Sequence, residues 1–224
     1  MSTDYKIIFS GRRSTSIVIS PDHSVVVRAP YGMSLKTIEK FVREKEEWII
    51  KHTERISETI QLNQGKKYVT GEKYLFMGRE LTLQISNELF PSINQIENKL
   101  EVVTDGKVGR VKMLIERWYI KKAEEIFSTK LKEILNKYKE YQFSPTQFAV
   151  RSLKSRWGSC TSKGKITINS ELVKLSERFI DYVILHELCH LKYHNHGKDY
   201  YLLLETLVPD YKIIRKELRK YSLS

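Results

Sequence analysis

The segment His186-Glu187-Leu188-Cys189-His190, followed closely by His194-Asn195-His196-Gly197, places four of the chain's six histidines within eleven residues. On an α-helix, residues four apart stack one turn from each other on the same side. The imidazoles of His186 and His190 can therefore reach a single ion at about 2.0–2.1 Å. Glu187 projects beside them, close enough to touch water on such an ion without being a ligand itself. This is the HExxH arrangement, in which the metal lowers the pKa of its water toward about 7 and the glutamate takes the proton. Three fixed positions out of five recur by chance, and a helix can carry surface histidines with no role. Here, however, Ile180, Ile184, Leu188 and Leu191 recur at helical spacing, so the pattern sits on a packed helix with further histidines at ligand distance.

A third ligand is needed. In a continued helix His194 would lie about 12 Å along the axis from His186, too far to share an ion. The spacing predicts that the helix ends near Tyr193 or His194, because Asn195 and Gly197 readily adopt the left-handed conformation that turns a chain back. His196 lies in that turn. It follows His190 by six residues, as in HExxHxxGxxH, although Tyr193 stands where that pattern has glycine. His196 is ranked first, ahead of Glu205 on the next helix and of His194. Three protein ligands leave one position open, as catalytic zinc sites do, whereas a structural site is closed by four. Cys189 points away from the histidine pair and is expected to be a small buried residue.

The elements that must position these residues show in the periodicity. Residues 5–29 contain the β-branched runs YKIIF, STSIVI and SVVVRAP, with SPDHS as a turn, which suggests a meander or hairpin. A helix is expected from the N-cap Ser34 onward, with Ile38, Phe41, Trp48 and Ile49 on one buried face. Strands return at EKYLFMG, ELTLQIS and KLEVVT, with LNQGK and FPSINQIEN as loops. A long helix runs from about Val111 to Tyr141, its apolar stripe including Trp118, Phe127, Leu131 and Ile134. QFAVRSL and KITINS are strand-like, the helix bearing the histidines starts near Ser176, and Pro209 separates two further helices.

Thirty-nine Lys and Arg against twenty-seven Asp and Glu give a formal charge of +12, which favours anionic partners without naming one. The opening MSTDYKIIFSGRR lacks the apolar run of a signal peptide, and no stretch approaches the roughly 18 apolar residues of a membrane span. The expectation is a soluble, cytoplasmic protein with no membrane partner. Two cysteines, Cys160 and Cys189, are too few for a disulfide framework and are expected to be reduced thiols.

Two motifs, KSRWGSC at 154–160 and YVILHELCHLKYHNHGKDYY at 182–201, resemble the YgjP-like metallopeptidase family, part of the zincin group that includes SprT-like and WLM proteins. The stretch VVVRAPYGMSLKTIEKFVREKEEWI is similar to the family's N-terminal part. Cys189 replaces a common alanine, and His194 is an extra histidine. The resemblance implies zinc bound by His186, His190 and His196, with Glu187 as general base. It also implies that the strand through RSLKSRWGSC forms the upper rim of the cleft, where an extended peptide can pair with it. The fold expected is α+β, with a zincin-like metallohydrolase unit (106–224, its active-site helix under a small sheet) preceded by a β-rich portion with one helix (1–105).

Residues 151–165 hold Arg151, Lys154, Arg156, Lys163 and Lys165 with no acidic residue. Of these, Arg151, Lys154 and Arg156 are the candidate substrate-binding residues. A basic strand beside a metal also suits a nucleotide, because cations neutralise a di- or triphosphate. Three functions follow: a zinc metallopeptidase acting on polypeptide, favoured; a zinc-dependent nucleoside triphosphate hydrolase; and a non-enzymatic nucleic-acid-binding protein whose zinc is structural. Oxyanion stabilisers are to be sought among Tyr193, His194, Arg156 and Tyr200, and partners orienting the imidazoles at Asn169 and Asp199.

Overall fold

A computed structural model describes residues 4–20, 24–57, 60–62 and 65–223 and divides the chain into two compact units, residues 1–60 and 61–224. In the first, β1 (Lys6–Ser10) runs parallel to β3 (Val25–Pro30), and β2 (Ser16–Ile19) pairs antiparallel with β3 on its other side. The hairpin expectation holds for β2 and β3, while β1 returns in parallel; Pro21–His23 of the expected turn lie outside the described residues. Alternation along β3 sends Val25, Val27 and Ala29 into a small core with Ile38, Val42 and Ile49.

The expected single helix is two, α1 (Leu35–Glu44) and α2 (Glu46–Ser57). Ser34 caps α1 by accepting from the Thr37 backbone N–H at 3.3 Å. Lys45 leaves helical geometry at φ −106°, ψ 7°. On the first helix Val42 is buried and the expected Phe41 only partly so, and past the break Ile49 is buried but Trp48 is not. Trp48 is 40% exposed and stacks on His52 at 3.9 Å between ring centroids.

After β4 (Ile60–Gln61), the second unit contains a four-stranded sheet in the order β5-β6-β8-β7, comprising β5 (Lys73–Phe76), β6 (Arg79–Ser86), β7 (Ser92–Ile96) and β8 (Lys99–Val103). Strand β7 replaces the loop expected at FPSINQIEN. Its backbone pairs with β8 despite a polar sequence, because ladder bonds do not depend on side-chain hydrophobicity. Helix α3 (Val108–Lys137) then crosses the unit, burying Trp118, Phe127, Leu131 and Ile134. It ends eight residues before Pro145, through a 3₁₀ turn at Lys139–Tyr141.

A second sheet has the order β10-β11-β9, from β9 (Gln147–Arg151), β10 (Gly158–Cys160) and β11 (Lys165–Asn169). β9 and β11 are parallel, and the short β10 is antiparallel at the edge. Three helices follow: α4 (Glu177–Cys189), α5 (Lys198–Leu207) and α6 (Tyr211–Leu218). Among the described residues no helix is long and apolar enough to cross a membrane.

The division at 60/61 groups the β5-β6-β8-β7 sheet with the helices that follow it, for a physical reason. The β5–β6 hairpin turns through Met77 and Gly78, both at positive φ (50° and 75°), the combination of a type I′ turn. Their N–H groups donate to the carbonyls of Val173 and Lys174 at 2.8 and 3.0 Å, at the start of the segment leading into α4. A Cβ on Gly78 would lie 3.1 Å from Ser176 Cβ, so glycine serves both the turn and the close approach. Leu81, Leu83, Leu100 and Val102 of this sheet share one core with Phe127 of α3 and Ile184 and Leu188 of α4.

Candidate metal centre

Helix α4 is buried along most of its length, with Ile180, Ile184 and Leu188 fully enclosed. His186 and His190 lie at its C-terminal end. The helix stops at Cys189, earlier than the sequence suggests, but His190 keeps right-handed geometry (φ −67°, ψ −17°), so the four-residue stacking survives. A tight turn follows, the Tyr193 N–H bonding to the Cys189 carbonyl at 3.0 Å. The returning chain brings His196 over the pair. Ligand nitrogens of His186, His190 and His196 all lie within 4.8 Å of one another. Nε2 of His186 and Nε2 of His196 face each other at 3.3 Å. Two nitrogens bound at 2.0–2.1 Å to one tetrahedral ion stand about 3.3–3.4 Å apart, so the separation fits a shared cation.

Hydrogen bonds orient two of the rings. His190 Nδ1 lies 3.0 Å from the Tyr193 carbonyl, which can only accept; Nδ1 therefore carries the proton and Nε2 is bare. The Tyr200 hydroxyl lies 3.2 Å from the His186 carbonyl and 2.6 Å from His186 Nδ1. Its single proton goes to the carbonyl, and its oxygen accepts from Nδ1–H, again leaving Nε2 bare. Burial, together with His190, His196 and Arg215, pushes the His186 pKa down to about 3, so this imidazole stays neutral as a ligand must. Burial and the same kind of neighbours lower His196 as well.

Glu187 is 5% exposed, and burial pushes its pKa up to about 8 against the opposing charge of Arg156. Its carboxyl group lies against Gly158 of β10. A Cβ at position 158 would stand 2.6 Å from Oε1 and 2.9 Å from Cγ of Glu187, a space that only glycine leaves. The glycine of KSRWGSC and the glutamate of HELCH are thus two sides of one contact.

The remaining sequence candidates separate. Arg156 acts on Glu187 through its charge. Arg151 is exposed at the end of β9, and Lys154 lines a different cleft with Lys112, Glu116 and Lys174. Glu205 is exposed and pairs with Lys212 at 3.3 Å, and His194 is exposed outside the triad. Cys189 is fully buried, with its thiol pKa pushed up to about 12. Tyr200 is no oxyanion donor, since it is buried and committed to His186. Asn169 orients no imidazole. Its side chain accepts from the Leu153 and Glu171 N–H groups and donates to the Leu153 and Arg156 carbonyls, which fixes the bend entering β10. Asp199 is exposed, and among the described residues its side chain has no hydrogen-bond or ion-pair partner.

Residues 13–221 match the family model described as YgjP-like, metallopeptidase domain. Among solved structures, the metallopeptidase zymogen jannalysin of Methanocaldococcus jannaschii is similar at 23% identity and TM-score 0.36, over 41% of this chain and 92% of that one. Abylysin, a metallopeptidase zymogen of Pyrococcus abyssi, is similar at 25% identity and TM-score 0.34, over 43% and 90%. No curated protein matches the chain.

Gly158→Ala is expected to displace the Glu187 carboxyl group and lower hydrolytic turnover about a hundredfold while metal content stays unchanged, since small misplacements of a reacting group are that costly. Turnover within twofold of wild type would show that the contact is not needed. Tyr200→Phe removes the acceptor that holds His186 Nδ1–H and should weaken metal-ion binding about ten- to a hundredfold in competition with a chelating dye. Unchanged affinity would reduce Tyr200 to a space-filling residue.

Proposed function

Because the chain belongs to the YgjP-like metallopeptidase family, we propose that it is a zinc-dependent peptidase in which His186, His190 and His196 hold the ion and Glu187 is the general base. The observation that carries this is the convergence of three imidazole nitrogens within 4.8 Å at the flank of a buried glutamate. Two of the three rings have their Nδ1 protons tied to oxygen acceptors, so their Nε2 lone pairs are free for a cation. A set of three neutral nitrogens suits zinc and leaves a position open to substrate.

Zinc bound there supplies Lewis acidity, polarising a carbonyl and acidifying water. Glu187 takes a proton from the attacking water, whose oxygen bonds to the scissile carbonyl carbon. As the C–N bond breaks, Glu187 returns that proton to the leaving nitrogen. Burial raises the pKa of Glu187 and so strengthens it as a proton acceptor, and a bound cation beside it would favour the ionised form that accepts. Gly158 keeps the carboxyl group in one place, and Arg156 favours its ionised form.

The edge strand β10 offers a place for the substrate backbone. Asn169 N–H donates to the Trp157 carbonyl at 2.8 Å, and Thr161 N–H donates to the Lys165 carbonyl at 2.9 Å. Antiparallel alternation then turns the N–H and C=O of Gly158 and Cys160 toward the open edge. An extended polypeptide adding as a further strand would bring its amide carbonyl alongside Glu187. Nucleotide hydrolysis lacks comparable support, because Arg151 and Lys154 do not line the cleft that contains Glu187.

Glu187→Gln, with zinc present, should reduce cleavage of denatured protein and peptides by at least about a hundredfold while retaining the metal. Full peptidase activity in that variant would remove Glu187 from the mechanism. Glu187-dependent release of phosphate from nucleoside triphosphates, with peptides untouched, would move the protein to another reaction class.

A further inference from the structure

A cleft of about 280 Å³ is lined by His186, Glu187 and Gly158, which belong to the site described above. Val183, Leu218 and the rings of Trp157 and Tyr182 give it apolar surface. The same cleft is lined by two guanidinium groups, Arg215 and Arg219, both on the last helix and its cap. Four residues apart, they share one face of α6, while Tyr211, Ile214 and Leu218 turn into the core.

Among the described residues, neither arginine has a carboxylate partner. The acidic groups of this region are taken: Glu217 pairs with Arg178, and Glu205 pairs with Lys212. Arg215 reaches only the hydroxyl of Tyr201, at 3.5 Å, and Tyr201 stacks on His196 with ring centroids 6.1 Å apart. Arg215 lines the same cleft as His186 and Glu187, which puts its charge beside the reaction centre. A guanidinium presents a planar fork of donors that matches a carboxylate, and no residue of the cleft other than Glu187 supplies one.

We propose that this cleft is a specificity pocket for a carboxylate of the polypeptide substrate, held by Arg215 and Arg219 while the adjoining amide lies at Glu187. The proposal rests on the peptidase function above and adds the substrate class to it. The carboxylate belongs either to an aspartate or glutamate side chain next to the scissile bond or to the free C-terminus of a peptide. Both present one anionic, two-oxygen group to a cleft whose other lining is largely apolar. Trp157 and Leu218 contact the intervening methylenes, and the exposed position of the two arginines lets the charged group keep part of its hydration.

Two pairs of fluorogenic peptides test this with the zinc-loaded full chain. One pair differs by glutamate against glutamine at each position flanking the cleaved bond, and the other by a free against an amidated C-terminus. The carboxylate member of one pair should be cleaved with a kcat/KM about tenfold higher, the size expected for charge-assisted hydrogen bonds at a partly hydrated site. Whichever pair shows the preference identifies the source of the group. In Arg215→Gln/Arg219→Gln the ratio should fall to within about twofold, with zinc content unchanged. Cleavage with no preference in either pair, or a preference that survives the double substitution, overturns the proposal and leaves peptidase activity standing. Binding of the same peptides to zinc-loaded Glu187→Gln, followed by fluorescence anisotropy, separates the two claims. Selective binding that depends on the arginines, with no cleavage by the wild type, would keep the pocket and discard proteolysis. Equal binding of all peptides would discard the pocket.

Discussion

Burying the carboxyl group of Glu187 costs free energy, and the chain accepts that cost by pressing it against a strand with no side chain at position 158. Much of the site follows from this contact. The edge strand must come within van der Waals distance of the helix, so β10 is short and antiparallel to β11, and Asn169 holds the bend that delivers it. The helix must be rigid, so α4 is enclosed by α3 and by the segment that the β5–β6 hairpin tip grips. The carboxyl group is then held at one point between the imidazoles and the open edge of the sheet.

The imidazoles obey a complementary constraint. A ring can turn either nitrogen toward an ion, and the acceptor placed behind it decides which. Tyr193 offers its carbonyl and Tyr200 its hydroxyl oxygen, each behind a different histidine. Tyr200 also bonds to the carbonyl of His186, so one buried side chain fixes both the ring and the last turn of its helix. Proximity of like nitrogens, unfavourable without a cation, becomes a geometry suited to one.

How much of this could be seen in the sequence depended on whether each feature was local. HELCH was legible because a four-residue spacing carries its own geometry, and the chain does turn back after it to bring the next histidines round, although neither Asn195 nor Gly197 takes the left-handed conformation expected of them, Gly197 lying at φ −81°. His196 came out ahead of Glu205 and His194 on that ground, and the three histidines do converge. Gly158 was visible only as part of a motif, because its role is a contact with a helix nearly thirty positions away. Tyr200 was noticed for its chemistry and given another task, since nothing in the spacing shows that its hydroxyl faces the back of His186. Strand β7 was hidden by its polar residues, and the break at Lys45 lacks the proline or glycine that usually signals one. The grouping of the β5–β6 sheet with α4 was not visible either, because the hairpin-tip N–H groups that bond to Val173 and Lys174 belong to the backbone and leave no mark in residue types. Arg215 and Arg219 belong to no motif, and only the placement of the last helix brings them to the cleft.

The α+β fold, the buried glutamate and the orientation of the two rings all serve one claim, that three histidines present a single cation with neutral nitrogens and no thiolate. X-ray absorption at the zinc edge on the loaded protein tests it most directly. The account predicts three imidazole nitrogens at about 2.0–2.1 Å, falling to two in His196→Ala and remaining three in His194→Ala. A sulfur neighbour near 2.3 Å, or a spectrum unchanged by His196→Ala, would contradict it.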